Sequence, residues 1–165
     1  MVDKSKFSAE EWNMILGSPM LAGMAVTLGD PSGLWGTLKE GMASASALLS
    51  AKNDPGASWL VKQMVADFET SEGRTAARDS LKAELTGKSL VEIKQQVIAR
   101  LKRVGEVVDA KAPADAPAFK AWLKSVAQKV ADASSEGGFL GFGGVKVSDA
   151  EKATLADISN ALKIA

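Results

Sequence analysis

A single all-α domain is the fold class the sequence predicts, on three observations. Apolar residues recur at steps of three and four along most of the chain, the spacing of one helix face. Ser-x-x-Glu capping boxes precede three of these runs, at Ser8/Glu11, Ser89/Glu92 and Ser148/Glu151. No run alternates long enough for a strand, and 145–147 is the one extended piece. With 165 residues, 46% hydrophobic and 24% charged, the chain buries roughly two thirds of its unfolded surface and needs no staple to fold. One domain over 1–165 is expected, a compact bundle of about seven short helices with a Gly-rich loop before the last. The Pro/Ala stretch 111–117 is the place for a sub-boundary.

The first helix begins at residue 9. Ser8 and Glu11 cap it reciprocally, and Phe7 meets Trp12 as a hydrophobic staple. Gly17-Ser18-Pro19 reads as its end, since Gly suits a helix C-terminus and Pro the first turn of a new helix. A second helix then covers 19–28 and stops at Gly29. Asp30-Pro31 opens a third, about 31–52, with Leu34, Trp35, Leu38, Met42, Ala45 and Leu49. Asp54-Pro55 repeats the device for 55–69, whose inner face is Ala57, Val61, Met64 and Phe68. A polar joint at 69–74 leads into a short helix, 74–86, stopped at Gly87.

The clearest period follows. Leu90, Ile93, Val97, Leu101, Val104 and Val108 average 3.6 residues apart, which predicts a helix over about 90–108 at the centre of the core. The stretch 111–117 cannot continue it. Phe119, Trp122, Val126 and Val130 then predict a helix of about 116–134. Residues 136–145 form an irregular Gly-rich loop, and Leu155, Ile158 and Leu162 face the last helix inward.

The absent side chains bound the chemistry. With no His, Cys or Tyr, zinc sites, haem on His or Cys, iron–sulfur clusters, Cys hydrolases, Ser-His-Asp triads and disulfides are excluded. A di-iron centre in a helical bundle needs Glu-x-x-His and is excluded too. No metal and no cofactor is expected. Lys+Arg and Asp+Glu number 20 each, and no third of the chain departs from neutrality by more than two charges, which argues against nucleic acid. Lys94, Arg100, Lys102 and Arg103 read as a solvated helix face. The longest weakly polar stretch, 14–29, contains Gly17, Pro19 and Gly23 and falls short of the about 20 residues a membrane span takes. The N-terminus meets Glu10 and Glu11 before any apolar run, unlike a secretory signal, so a cytoplasmic protein is expected.

Two features could carry binding. The loop with Gly137, Gly138, Phe139, Gly141, Phe142, Gly143 and Gly144 could offer backbone amides to an anion, plug the core with its rings, or present them as a partner-binding knob. It lacks the Lys-Ser/Thr ending of a P-loop, and Asp149 and Glu151 already occupy the positive end of the next helix. Whether Phe139 and Phe142 point inward or outward decides its role. The second feature is 17–50, where small residues allow close helix approach and Met20, Met24, Trp35 and Met42 form an adaptable apolar face. The four Trp lie on four different predicted helices and mark helix contacts.

Phe7-Ser-Ala-Glu-Glu-Trp running into Pro19-Met-Leu-Ala-Gly-Met-Ala-Val and Asp30-Pro-Ser-Gly, together with the block at 136–151, resemble segments of small bacterial proteins of unknown function that are helical throughout. The resemblance implies a bacterial cytoplasmic setting and carries no ligand or catalytic residue with it. The expected role is a non-enzymatic interaction or structural protein acting through an apolar helix or loop surface, with homodimer formation or a protein partner. The alternative is a small-ligand binding module, for an apolar or anionic ligand, built from 17–50 and 137–144. A carboxylate-dependent enzyme is the third.

Overall fold

The computed structural model describes residues 4–29, 48, 50–135 and 147–165. Among the described residues a 3-10 turn (Lys4–Lys6) is followed by the α-helices α1 (Ala9–Gly29), α2 (Trp59–Phe68), α3 (Ser71–Leu85), α4 (Leu90–Lys111), α5 (Ala116–Ser135) and α6 (Asp149–Leu162). Residues 50–53 are helical as well, and no strand occurs among the described residues. The helices form one close-packed all-α assembly.

Its axis is α1, which touches all five other helices. Trp12, Ile15, Leu16, Leu21, Ala22, Ala25 and Val26 are all buried, as are Gly17, Ser18, Pro19 and Gly23 on other sides of the helix. A helix buried all round has no single apolar stripe. The 3.6-residue period of α4 predicts that helix at the centre; it is amphipathic because it lies beside α1 with one face in water. Val97, Leu101, Val104 and Val108 are buried as expected. Leu90 is 69% exposed and Ile93 only half-buried, so the first turn of α4 projects beyond the core.

The break expected at Gly17-Ser18-Pro19 does not occur. Pro19 has no N–H for the Ile15 carbonyl, but the Ser18 hydroxyl donates to that carbonyl at 2.7 Å in the buried core. Two further helix starts differ from expectation. Asp54 accepts from the Gly56 amide at 2.8 Å in a turn, and α2 starts only at Trp59, with Ser58 as its cap. Thr70 caps α3 by accepting from Gly73 N at 2.9 Å, so the joint between α2 and α3 is two residues long.

The three capping boxes form as expected. Each Ser accepts from the amide three residues on, and each Glu accepts from the Ser amide, at 2.7 Å for Glu11, 2.8 Å for Glu92 and 2.7 Å for Glu151. The Phe7 and Trp12 rings lie 5.6 Å apart. Trp12 Nε1 donates to Asp67 at 2.8 Å, tying α1 to α2, and Lys4 pairs with the same carboxylate. Trp59 and Trp122 are half-buried against the core. Gly87, at φ +80°, ends the α3 segment in a conformation that favours glycine. Between α4 and α5 the chain turns tightly, with Ala112 and Ala116 buried and Asp115 accepting from Leu60 N at 3.4 Å. No helix among the described residues is long and apolar enough to cross a membrane.

Candidate functional site

Of the residues singled out in the sequence, Gly137, Gly138, Phe139, Gly141, Phe142, Gly143, Gly144, Trp35 and Met42 lie outside the described residues. Met20 and Met24 sit one turn apart on α1, half-buried against the core. Polar groups converge elsewhere, in a cleft of about 400 Å³ between the first turns of α1 and the middle of α4.

Helical spacing builds both walls. Residues 96, 99, 100 and 103 share one face of α4, and residues 10, 11 and 14 share one face of α1. The lining is Ser8, Glu10, Glu11, Met14, Gln96, Ala99, Arg100 and Arg103. The Ser8/Glu11 box fixes the α1 wall. Glu11 is engaged: it accepts from Lys111 Nζ at the end of α4 and from the Ser8 amide. The Lys111 hydrogen bond, then the Ser8 amide, hold its carboxyl below the usual carboxylate range.

Arg100 is half-buried, and its Nη2 donates to Ser80 Oγ of α3 at 2.6 Å. Burial pushes its guanidinium pKa down, with the nearby Glu10 carboxylate opposing the shift. The group stays charged, because a guanidinium titrates far above neutrality. Glu10, Gln96 and Arg103 make no hydrogen bond or ion pair among the described residues, although Glu10 does act electrostatically on Arg100. One guanidinium anchored at depth, a second exposed, a carboxamide and a carboxylate therefore face one space.

Such a set recognises charge and hydrogen-bonding pattern. The carboxylates that the fold displaces, Glu11, Glu72, Glu92 and Asp149, all titrate lower than usual, the opposite of the raised pKa that suits a carboxyl to general-acid work near neutrality. No group of three or more His, Cys, Asp or Glu able to hold a metal occurs among the described residues.

Helical spacing alone puts Arg100 on a solvated face with Lys94, Lys102 and Arg103. Arg103 and Lys102 are exposed, but Arg100 is drawn inward by Ser80. The 96/100/103 stripe beside the apolar one is visible at helical spacing. That the start of α1 closes over it depends on a pairing between distant segments, which leaves no local signal. Comparison with protein-family models, with curated proteins and with solved structures finds no match.

Proposed function

We propose that this chain is a non-enzymatic interaction protein that meets a partner, or a second copy of itself, through an exposed apolar helix turn. The observation that carries the reading is the first turn of α4, where Leu90 and Val91 are both 69% exposed. This turn is held in place: Ser89 and Glu92 cap it reciprocally, so the two aliphatic side chains project from a fixed backbone. An ordered helix start presenting adjacent aliphatic side chains suits insertion into an apolar groove, or pairing across a two-fold axis with the same turn of another copy. A bacterial cytoplasmic setting belongs to the same proposal, supported by the resemblance of the two sequence blocks.

The test is light scattering and cross-linking of the full chain and of a Leu90→Asp, Val91→Ser variant. The reading expects a dimer or a co-purifying protein that the variant loses while its far-UV circular dichroism is unchanged. A wild-type chain that is strictly monomeric and captures no partner would sink it.

A second reading, a small-ligand binding module, is favoured by the α1–α4 cleft. The cleft's volume is in the range of small-molecule sites, and Glu10, Gln96 and Arg103 in its lining make no hydrogen bond or ion pair among the described residues.

A further inference from the structure

Resting on the exposed-turn reading proposed above, we propose that the partner is an acidic amphipathic helix of another protein, lying along the outer face of α4 with its apolar stripe on Leu90, Val91 and Ile98 and its carboxylates on Lys94 and Lys102.

Helical spacing makes the face. Leu90, Lys94, Ile98 and Lys102 stand four residues apart, with Val91 and Gln95 beside them. Aliphatic and basic side chains therefore alternate over about three turns, roughly 18 Å of helix. Leu90, Val91, Gln95 and Lys102 are exposed, and Lys94 and Ile98 are half-buried. Ile98 packs against the core from the side, so the face has a firm apolar floor in its middle as well as at its tip.

Charge selects the occupant. Neither Lys94 nor Lys102 makes a hydrogen bond or ion pair among the described residues. The α4 carboxylates stand off this face. Glu92 accepts from the Ser89 amide and hydroxyl and has the Lys88 charge acting on it; Glu106 and Asp109 come after the face ends, and Asp109 pairs with Lys120. The face thus carries two positive charges and no negative one. A second copy offering the same face would set lysine against lysine. A membrane surface suits a helix whose lysines lie away from the apolar stripe, whereas Lys94 stands in line between Leu90 and Ile98. A helix with its own four-residue ridge of aliphatic and acidic side chains meets each position with its complement, by groove packing and by charge. The aliphatic contact supplies most of the affinity, and the lysines choose the partner.

The experiment titrates the uniformly ¹⁵N-labelled full chain, at low salt, with three probes: a designed helical peptide carrying Leu and Glu four residues apart, the same peptide with Lys in place of Glu, and phosphatidylglycerol vesicles. Sedimentation of the chain alone reports self-association. The expected result is a saturable amide shift along 90–102 with the acidic peptide, absent with the basic one and weakened by added salt. Binding should fall about tenfold in Lys94→Glu, Lys102→Glu and about threefold in Lys102→Glu alone, and should vanish in Leu90→Asp, Val91→Ser. Lys102 is fully exposed, and unchanged circular dichroism certifies each variant. Equal binding of the two peptides, or a dimer through this face that the lysine variants leave intact, overturns the acidic-helix assignment while the exposed-turn reading stands. Shifts with vesicles alone overturn both. If no probe shifts the face, the assignment falls, and the exposed-turn reading is decided separately by the Leu90→Asp, Val91→Ser comparison.

Discussion

Pro19 removes one amide from the middle of α1, and the Ser18 hydroxyl stands in for it on the Ile15 carbonyl. Ser18→Ala should therefore leave a buried carbonyl without a donor and cost about 1–3 kcal/mol in urea unfolding. The double variant Ser18→Ala, Pro19→Ala restores a backbone donor, so its loss should be smaller than that of Ser18→Ala alone. Two glycines make an opposed pair. A Cβ at Gly17 would meet the Leu81 side chain at 3.5 Å, an ordinary contact, so Gly17→Ala should stabilise by roughly 0.5–1 kcal/mol through helix propensity. At Gly73 the same atom would run into the Asp67 carbonyl, and Gly73→Ala should destabilise by about 1–3 kcal/mol on the same measurement. None of these contrasts is legible in the sequence. Gly-Ser-Pro is an end signal in most contexts, and only the hydroxyl's reach to residue 15 turns it into a continuous helix.

Elements are most legible where their ends are chemically marked. Three capping boxes, the staple at Phe7 and the stop at Gly87 can be read from the residues alone, because each depends on positions a few residues apart. The starts of α2 and α3 are less well marked. Asp54-Pro55 competes with Ser58, and Thr70 caps an amide belonging to a glycine, which breaks the usual box pattern. The boxes also set an acid response. Glu11 and Glu92 titrate lower in the folded chain than in the unfolded one, the first chiefly through Lys111 and the second through Ser89. A depressed folded pKa contributes stability above the unfolded value near about 4.3, and this contribution fades as the pH falls below it. Stability measured by urea titration between about pH 5 and pH 3 should fall less steeply in Glu11→Gln than in the wild type, and the two should run parallel above about pH 6.

At the scale of the whole molecule, α1 decides how the rest is arranged. Leu16, 2% exposed in a helix that touches each of α2 to α6, should cost about 2–5 kcal/mol when cut to Ala. Trp fluorescence and far-UV circular dichroism should shift together in that variant; separate transitions would show that the helices do not unfold as one unit. The all-helical class is legible because periodicity is local. Which helix lies at the centre is not, since an element buried all round loses the stripe that marks burial, and the amphipathic α4 carries the stronger pattern. The cleft is hidden for a related reason: its walls, residues 8–14 and 96–103, are brought together only by tertiary packing.

The place of α1 has a consequence for how the chain is made. Its first turn, capped locally by Ser8 and Glu11, is tied to α4 by Lys111, a hundred residues downstream. At about 5–20 residues per second, translation leaves this apolar rod waiting about 5–20 s for that partner. Of these six helices α1 emerges before the rest, yet most of its cover comes from α3 to α6, so it is the stretch that a nascent-chain chaperone would hold and that aggregation would claim when synthesis stalls before α4.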